Sequence, residues 1–445
     1  MRRRKCVVGP SRSSSEATRA LPMIGGNRGP VHPPIVGGPE VWIGDRIMLK
    51  VVLAVMALLA AAAGLPAQER RDTLVAVSRL AVPDSVPLTY IVQLVHAADG
   101  SMFMLDARTE GVLVFGPDGA FRRRIGRRGE GPGELLSAWR IGLLGRDTLW
   151  VVDAGRPRVN LYDASTGESL ADLGPAIWDA AAAGGEPVRP FAVLGDSRVL
   201  AFRWAKRDAL AEVLAFRVKR GRTSEGESLA LLDLRDRSIA AQVPTGDGSL
   251  RLRNPFSHSD MLAVGSFGRR VAVIRRPKPE GSPAFFVAER HAVLRGTVDT
   301  VQVSYEPRPL EAGEIQAWAE DLGPVERMVQ RGVFPSRAAG VEAVLDALDA
   351  PGHHPPVENR GRGIVDEGVL MDPEGRLWFR LYDPSDNEDE WLVVRGNSSD
   401  GKVTRVVAPD GARLLAVRDG RVWAEVRDGF GVPAVQVLRI RRSDR

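Results

Sequence analysis

From Leu74 onward the chain alternates short runs of β-branched and aromatic residues with Gly, Pro and Asp. This is the texture of successive strands and tight turns, not of long helices. The clearest unit, residues 98–126, reads ADGSMFMLDARTEGVLVFGPDGAFRRRIG: a turn, a strand, a short connection, a second strand, a Pro-Asp-Gly hairpin and a third strand. Asp118-Gly119 supplies the positive φ that a tight turn needs. Met102, Met104, Val112 and Val114 are placed to fill a core between neighbouring sheets. The unit returns at 145–173, where Leu149–Asp153 replaces Met102–Asp106 and Val159–Asp163 replaces Val112–Gly116. It returns again at 372–383, followed by Trp391–Val394, and at 419–440.

Two degenerate copies lie between these, one at 195–218 and one spread over 268–276, 284–290 and 298–305. The count is six. A single small sheet cannot bury both faces alone, so such units stack around an axis and close into a ring. The early strand Thr73-Leu74-Val75-Ala76-Val77 is positioned to complete the last unit and latch that ring. The expected fold is all-β, a six-bladed β-propeller spanning 72–442. Residues 310–348 break the pattern, because their apolar spacing shifts towards 3.6. Ile315, Trp318 and Leu322 share one face, Pro324 interrupts the run, and Val341, Val344, Leu345 and Leu348 form a second stripe. A small helical insertion between blades four and five is expected, either capping one mouth of the ring or serving only as a packing element.

The phrase GPDGAFRRRIGRRGEGPGEL, residues 116–135, resembles the linker of bacterial six-bladed β-propellers related to NHL repeats. The resemblance is strong in blades one, two, five and six and weak in three and four. It implies fold and export. It does not imply an activity, since propellers host binding proteins, lyases, lactonases and sensors.

Ahead of the repeats, Met48-Leu49-Lys50 opens an apolar, alanine-rich run that ends in Pro66-Ala67-Gln68. Residues 48–67 read as a signal peptide cleaved near Ala67 or Gln68 and too short for a comfortable membrane span. Residues 1–47 have no periodic order and read as a non-translated or disordered leader, with translation starting at Met48. The leader also changes the charge picture. The chain carries a formal +5, but residues 1–67 hold nine Lys/Arg against three Asp/Glu, which leaves fifty-two against fifty-three in the rest. The folded part is therefore near neutral, and a nucleic-acid partner is not expected. The only cysteine, Cys6, lies in the leader, so disulfides, thiolate metal sites and a cysteine nucleophile are absent from the repeats.

Candidate chemistry is sparse. Gly126–Glu134, GRRGEGPGE, lacks the following helix of a dinucleotide loop and the Lys-Ser/Thr of a P-loop. It reads as a blade-to-blade turn, with Arg127, Arg128 and Glu134 as candidate rim contacts for a ligand. Among the histidines, His258 is a candidate for the channel, and His353 for a ligand or metal role. Neighbouring residues of extended chain point apart, so His353 and His354 do not readily share one ion. The acidic run 383–390 has oxygen ligands but not EF-hand spacing, and reads as a solvated hairpin tip. Asp106, Asp153 and Asp383 recur at equivalent strand ends, which argues for turn capping, and Trp150, Trp378 and Trp423 recur as packing residues. The nearest approach to a G-x-S-x-G elbow has Val264 in place of its first glycine. These features favour a periplasmic or secreted, monomeric, non-catalytic binding propeller with no cofactor, presenting loops and a helical cap to a peptide, glycan or protein. The alternative is a metal-dependent lyase or lactone hydrolase with calcium or zinc in the channel.

Overall fold

The computed structural model describes residues 71–442 apart from 157, 174–187, 195–197, 206–209, 220–221, 224–225, 245–248, 266–268, 359–367, 382–388 and 396–401. The leader (1–47), the signal peptide (48–67) and positions 383–388 of the acidic run lie outside the described residues. Among the described residues, six antiparallel four-stranded sheets follow one another, and the fold is a six-bladed β-propeller. Blade one comprises Ile91–His96, Met102–Asp106, Val112–Phe115 and Phe121–Ile125. Blade two comprises Ala138–Leu144, Thr148–Asp153, Arg158–Asp163 and Ser169–Asp172, and blade three Val188–Val193, Arg198–Ala205, Leu210–Lys219 and Glu227–Asp233. Blade four comprises Met261–Val264, Arg270–Arg275, Ala284–Ala292 and Thr297–Tyr305, and blade five Val369–Met371, Leu377–Arg380, Asp389–Arg395 and Lys402–Ala408. Blade six is built from Arg413–Arg418, Arg421–Arg427 and Pro433–Arg441. Its fourth strand is β1, Arg71–Arg79.

The first strands of blades one to three lie against one another in turn, as do those of blades four to six, and that of blade six returns to blade one. The end at which each first strand begins is called the upper face. Each second strand ends there, and each last strand leads from there into the next blade.

A blade lies between two others, so its inner strands lose the usual alternation of buried and exposed positions. All five residues of Met102–Asp106 are buried. Met102 and Met104 pack with Trp423, Val435 and Val437 of blade six, while Phe103 and Leu105 pack with Ile141, Val151 and Tyr162 of blade two. The expected packing tryptophans Trp150, Trp378 and Trp423 are all buried. One glycine is required by such packing: a Cβ on Gly142 would meet Cζ2 of Trp150 at 2.2 Å.

The latch forms as expected. Residues 73–79 of β1 pair antiparallel with 436–441, and Leu74 enters a core with Trp378, Trp391 and Leu438. The latch also does something the repeats do not announce, because Arg71, Asp72 and Thr73 pair in parallel with Arg405, Val406 and Val407 of blade five. One strand thereby ties two blades into an eight-stranded sheet.

The insertion between blades four and five is helical: α1 (Ala312–Glu320), α2 (Gly323–Gln330) and α3 (Arg337–Ala347). Glu311 and Glu314 form a capping box on α1, and Ser336 Oγ accepts from the Ala339 amide at the start of α3. Pro324 falls in the first turn of α2, where no intrahelical amide is needed. These helices do not stand alone. A hairpin of Ser238–Gln242 and Ser249–Arg253, inserted between blades three and four, contributes Ile239, Ala241, Leu250 and Leu252 to a core shared with Val325, Phe334 and Val344. Both insertions join a last strand to a first strand, so this satellite stands at the upper face.

Candidate functional site

The upper face is organised first by charged residues at the ends of second strands. Asp106 accepts hydrogen bonds from the amides of Thr89 (2.9 Å), Tyr90 (2.8 Å) and Arg108 (2.9 Å). Asp153 accepts from Leu136 (3.0 Å), Ser137 (2.8 Å) and Gly155 (3.0 Å) in the same pattern. Each buried carboxylate therefore fixes the approach to the first strand of its own blade, the turn-capping role that their recurrence implied. In blade six Glu425 stands at this place, held by Arg413 and by Arg427 at 2.6 Å. Blades three and five carry arginine instead, Arg203 paired with Glu212 and Arg380 with Glu358 (2.9 Å) and Asp389. In blade four Arg275 joins Asp260 and Glu289 (3.0 Å), and burial pushes the Asp260 carboxyl above its ordinary range.

All the site residues expected from sequence fall on connections at this face. Residues 127–128 pair in parallel with 134–135. Glu134 Oε1 accepts from Arg127 Nε at 2.8 Å, and Oε2 from the Gly131 amide at 2.7 Å. The Gly131 amide and then Arg127 hold the Glu134 carboxyl below its usual range. Tyr162 closes the turn by donating to the Gly133 carbonyl at 3.0 Å. Arg128 is exposed.

His258 sits in a buried turn where Asp236 accepts from its amide (2.9 Å) and from Ser257 Oγ (3.0 Å). Its Nε2 lies 3.2 Å from the His353 carbonyl, and burial pulls the imidazole below its ordinary pKa. The ring of His354 instead meets Glu314 of α1 at 2.8 Å, with Arg308 on the other Glu314 oxygen at 2.6 Å. His353 thus takes part through its backbone carbonyl and His354 through its ring, which ties the segment leaving the helices back to α1. Among the described residues, no three His, Cys, Asp or Glu side chains converge as a metal-binding group.

The chemistry that sequence reading missed lies one rung inside the first strands. Gln93 is paired with Leu105, Arg140 with Val152 and Arg189 with Phe202. Each is one step below the charged strand end. Gln93 Oε1 accepts from the Ile141 amide of the next blade at 3.1 Å, so a side chain on this rung reaches around the axis. Trp139, in the register shift before Arg140, sets its ring edge-on to Phe202 of blade three at 6.4 Å, with the Arg140 guanidinium 5.9 Å from its centroid. Gln93, Trp139 and Arg140 are half-buried and Arg189 is exposed. The described first strands carry Arg140, Arg189, Arg413 and Arg418 but no Asp or Glu. Arg413 lies over the Tyr90 ring at 4.6 Å and bonds Glu425, and Arg418 donates to the Ala97 carbonyl at the opposite face.

A family model described as a 6-bladed beta-propeller matches residues 73–173, which hold most of the latch and blades one and two. No curated protein matches. Among solved structures the chain is similar to a candidate exported protein of Bacteroides fragilis, at 11% identity and TM-score 0.41, over 83% of this chain and 95% of that one. It is also similar to the calcium-binding protein regucalcin of Agrobacterium tumefaciens (9% identity, TM-score 0.36, 83% and 96% covered). A third is an oligogalacturonate lyase solved with manganese (11%, 0.39, 84% and 98%). No helix among the described residues is long and apolar enough to cross a membrane.

Proposed function

We propose that this is an exported, monomeric binding propeller whose upper face receives a ligand, with no catalytic step and no resident cofactor. The observation that carries the reading is the kind of side chain at the upper mouth. Gln93, Trp139, Arg140 and Arg189 offer hydrogen bonds, an aromatic surface and fixed positive charge, which is recognition chemistry. The acidic groups around them serve the fold: Asp106 and Asp153 cap loops, and Glu134 and Glu425 are ion-paired. Arg127, Arg128, His258 and His353 belong to the connections surrounding the mouth, and the satellite forms one wall beside blade four. Peptides, glycans and proteins are the ligand classes this surface suits. The run 48–67 supports export, and the repeat phrase at 116–135 supports kinship with NHL-related propellers.

The test is a ligand-stabilisation screen of the purified exported chain with metal analysis alongside it. A ligand that raises the melting temperature without being converted, and without a stoichiometric divalent ion, supports the reading. One equivalent of calcium or zinc together with turnover of a lactone or glycan would replace it with the metal-dependent lyase or hydrolase.

A further inference from the structure

We infer that the lower rim of blade six, at the opposite end of its strands from the upper mouth, is a docking surface for an anionic lipid bilayer. Arg71, Arg421, Arg439 and Arg441 form it, and it is separate from the ligand site described above.

Three observations point to it. The first is register. Arg421 stands directly opposite Arg439, and Arg439 opposite Val75 of the latch. Arg441 stands opposite Thr73, and Arg71 beside Arg405. Partners in a ladder share a face, as do residues two apart along a strand. All five arginines therefore project from one side of the joined sheet. It is the side turned away from Leu74, Val422 and Leu438, which fill the core between blades five and six. Arg71, Arg421, Arg439 and Arg441 are exposed there.

The second is charge balance. Glu390 takes Arg405 at 2.7 Å and Arg71 at 3.5 Å, and Asp419, in the hairpin before Arg421, is held by Arg418 at 3.2 Å. Arg421, Arg439 and Arg441 have no hydrogen-bond or ion-pair partner among the described residues. Like charges placed directly opposite in a sheet are destabilising, yet this row stands in a folded part that is near neutral overall. Exposed guanidiniums spread over three strands suit a surface of many phosphates better than one small anion.

The third is chain connectivity. The apolar run 48–67 ends at Ala67, and the four steps from there to Arg71 reach at most about 14 Å. A bilayer that holds the run during export is therefore within reach of this rim. Once the run is removed, the arginines keep the contact, and the upper mouth stays open to its ligand.

The experiment is flotation of the purified exported chain with vesicles of one-third phosphatidylglycerol in phosphatidylcholine and with vesicles of phosphatidylcholine alone. Binding to the anionic vesicles only, falling as salt rises, is expected. Arg439→Gln combined with Arg441→Gln is expected to weaken it about thirtyfold, from roughly fivefold for each arginine at an anionic surface. Arg439→Lys combined with Arg441→Lys is expected to preserve it, because a lipid surface responds to charge and not to the guanidinium fork. Both positions are exposed, and an unchanged melting temperature confirms that the variants fold. Arg146→Gln, exposed in the turn between the first two strands of blade two, is expected to leave binding as it is. No binding to the anionic vesicles, equal binding to both kinds, or binding indifferent to the glutamine pair overturns the inference. Loss with the lysine pair, or displacement from the vesicles by inorganic phosphate at matched ionic strength, overturns it in favour of a discrete anion site. An equal loss with Arg146→Gln also overturns it, since binding would then not lie at this rim.

Discussion

His96 gives the ring a predictable acid weakness at its closing seam. Its ring lies 4.0 Å from that of Trp423, so blades one and six meet through this pair. Nε2 is buried without a hydrogen-bond partner. Burial, and then the Arg418 guanidinium, lower its pKa from 6.5 to about 3, against a smaller opposing pull from Asp419. Folded His96 is therefore neutral, and unfolding takes up a proton between those two values. The stability it permits is fully present above pH 6.5 and is lost as pH falls towards 3. For those values, linkage gives a loss of about 2 kcal/mol between pH 7.5 and pH 5. The assay is urea unfolding of the wild type and His96→Phe at both pH values. Other histidines and carboxylates titrate in both proteins, so the difference between the two pH dependences isolates His96. Phenylalanine keeps a ring against Trp423 and removes the basic nitrogen. The variant should lose about 2 kcal/mol less than the wild type on acidification. Equal losses would refute the buried neutral imidazole.

Four further outcomes follow from packing and hydrogen bonding. Leu74→Ala should cost about 3 kcal/mol in urea unfolding, and deletion of residues 71–79 should expose the edge of blade six and produce oligomers in light scattering. Gly142→Val should destabilise by about 2 kcal/mol or more, because the added carbons meet the Trp150 ring; a neutral result would mean that the indole moves aside at no cost. Asp153→Ala strands the amides of Leu136, Ser137 and Gly155 and should cost about 3 kcal/mol, with faster hydrogen exchange at those amides than in the wild type.

Much of this fold is legible along the chain because its signals are local. The Asp-Gly turns, the recurring Asp106 and Asp153 and the early strand around Leu74 each carry their meaning within one blade length or repeat it. The hairpin at 238–253 was not legible as part of the satellite. Its alternation resembles that of a blade strand, and the helices that cover it begin only at Ala312, with blade four in between. The upper mouth was hidden for another reason. First strands are short, and a register shift moves Trp139 and Arg140 off simple alternation, so their shared depth with Arg189 appears only once blades are aligned by pairing. The histidines and the glycine-rich turn drew attention by composition, yet their contacts close a turn, tie the insertion to itself or join two connections.

Whether the upper mouth is the place of recognition is read by hydrogen–deuterium exchange with and without the ligand that the stabilisation screen selects. Slowed exchange is expected to centre on residues 91–96, 138–144 and 188–193. Protection confined to the opposite face, around residues 97–101 and 418–420, would contradict it.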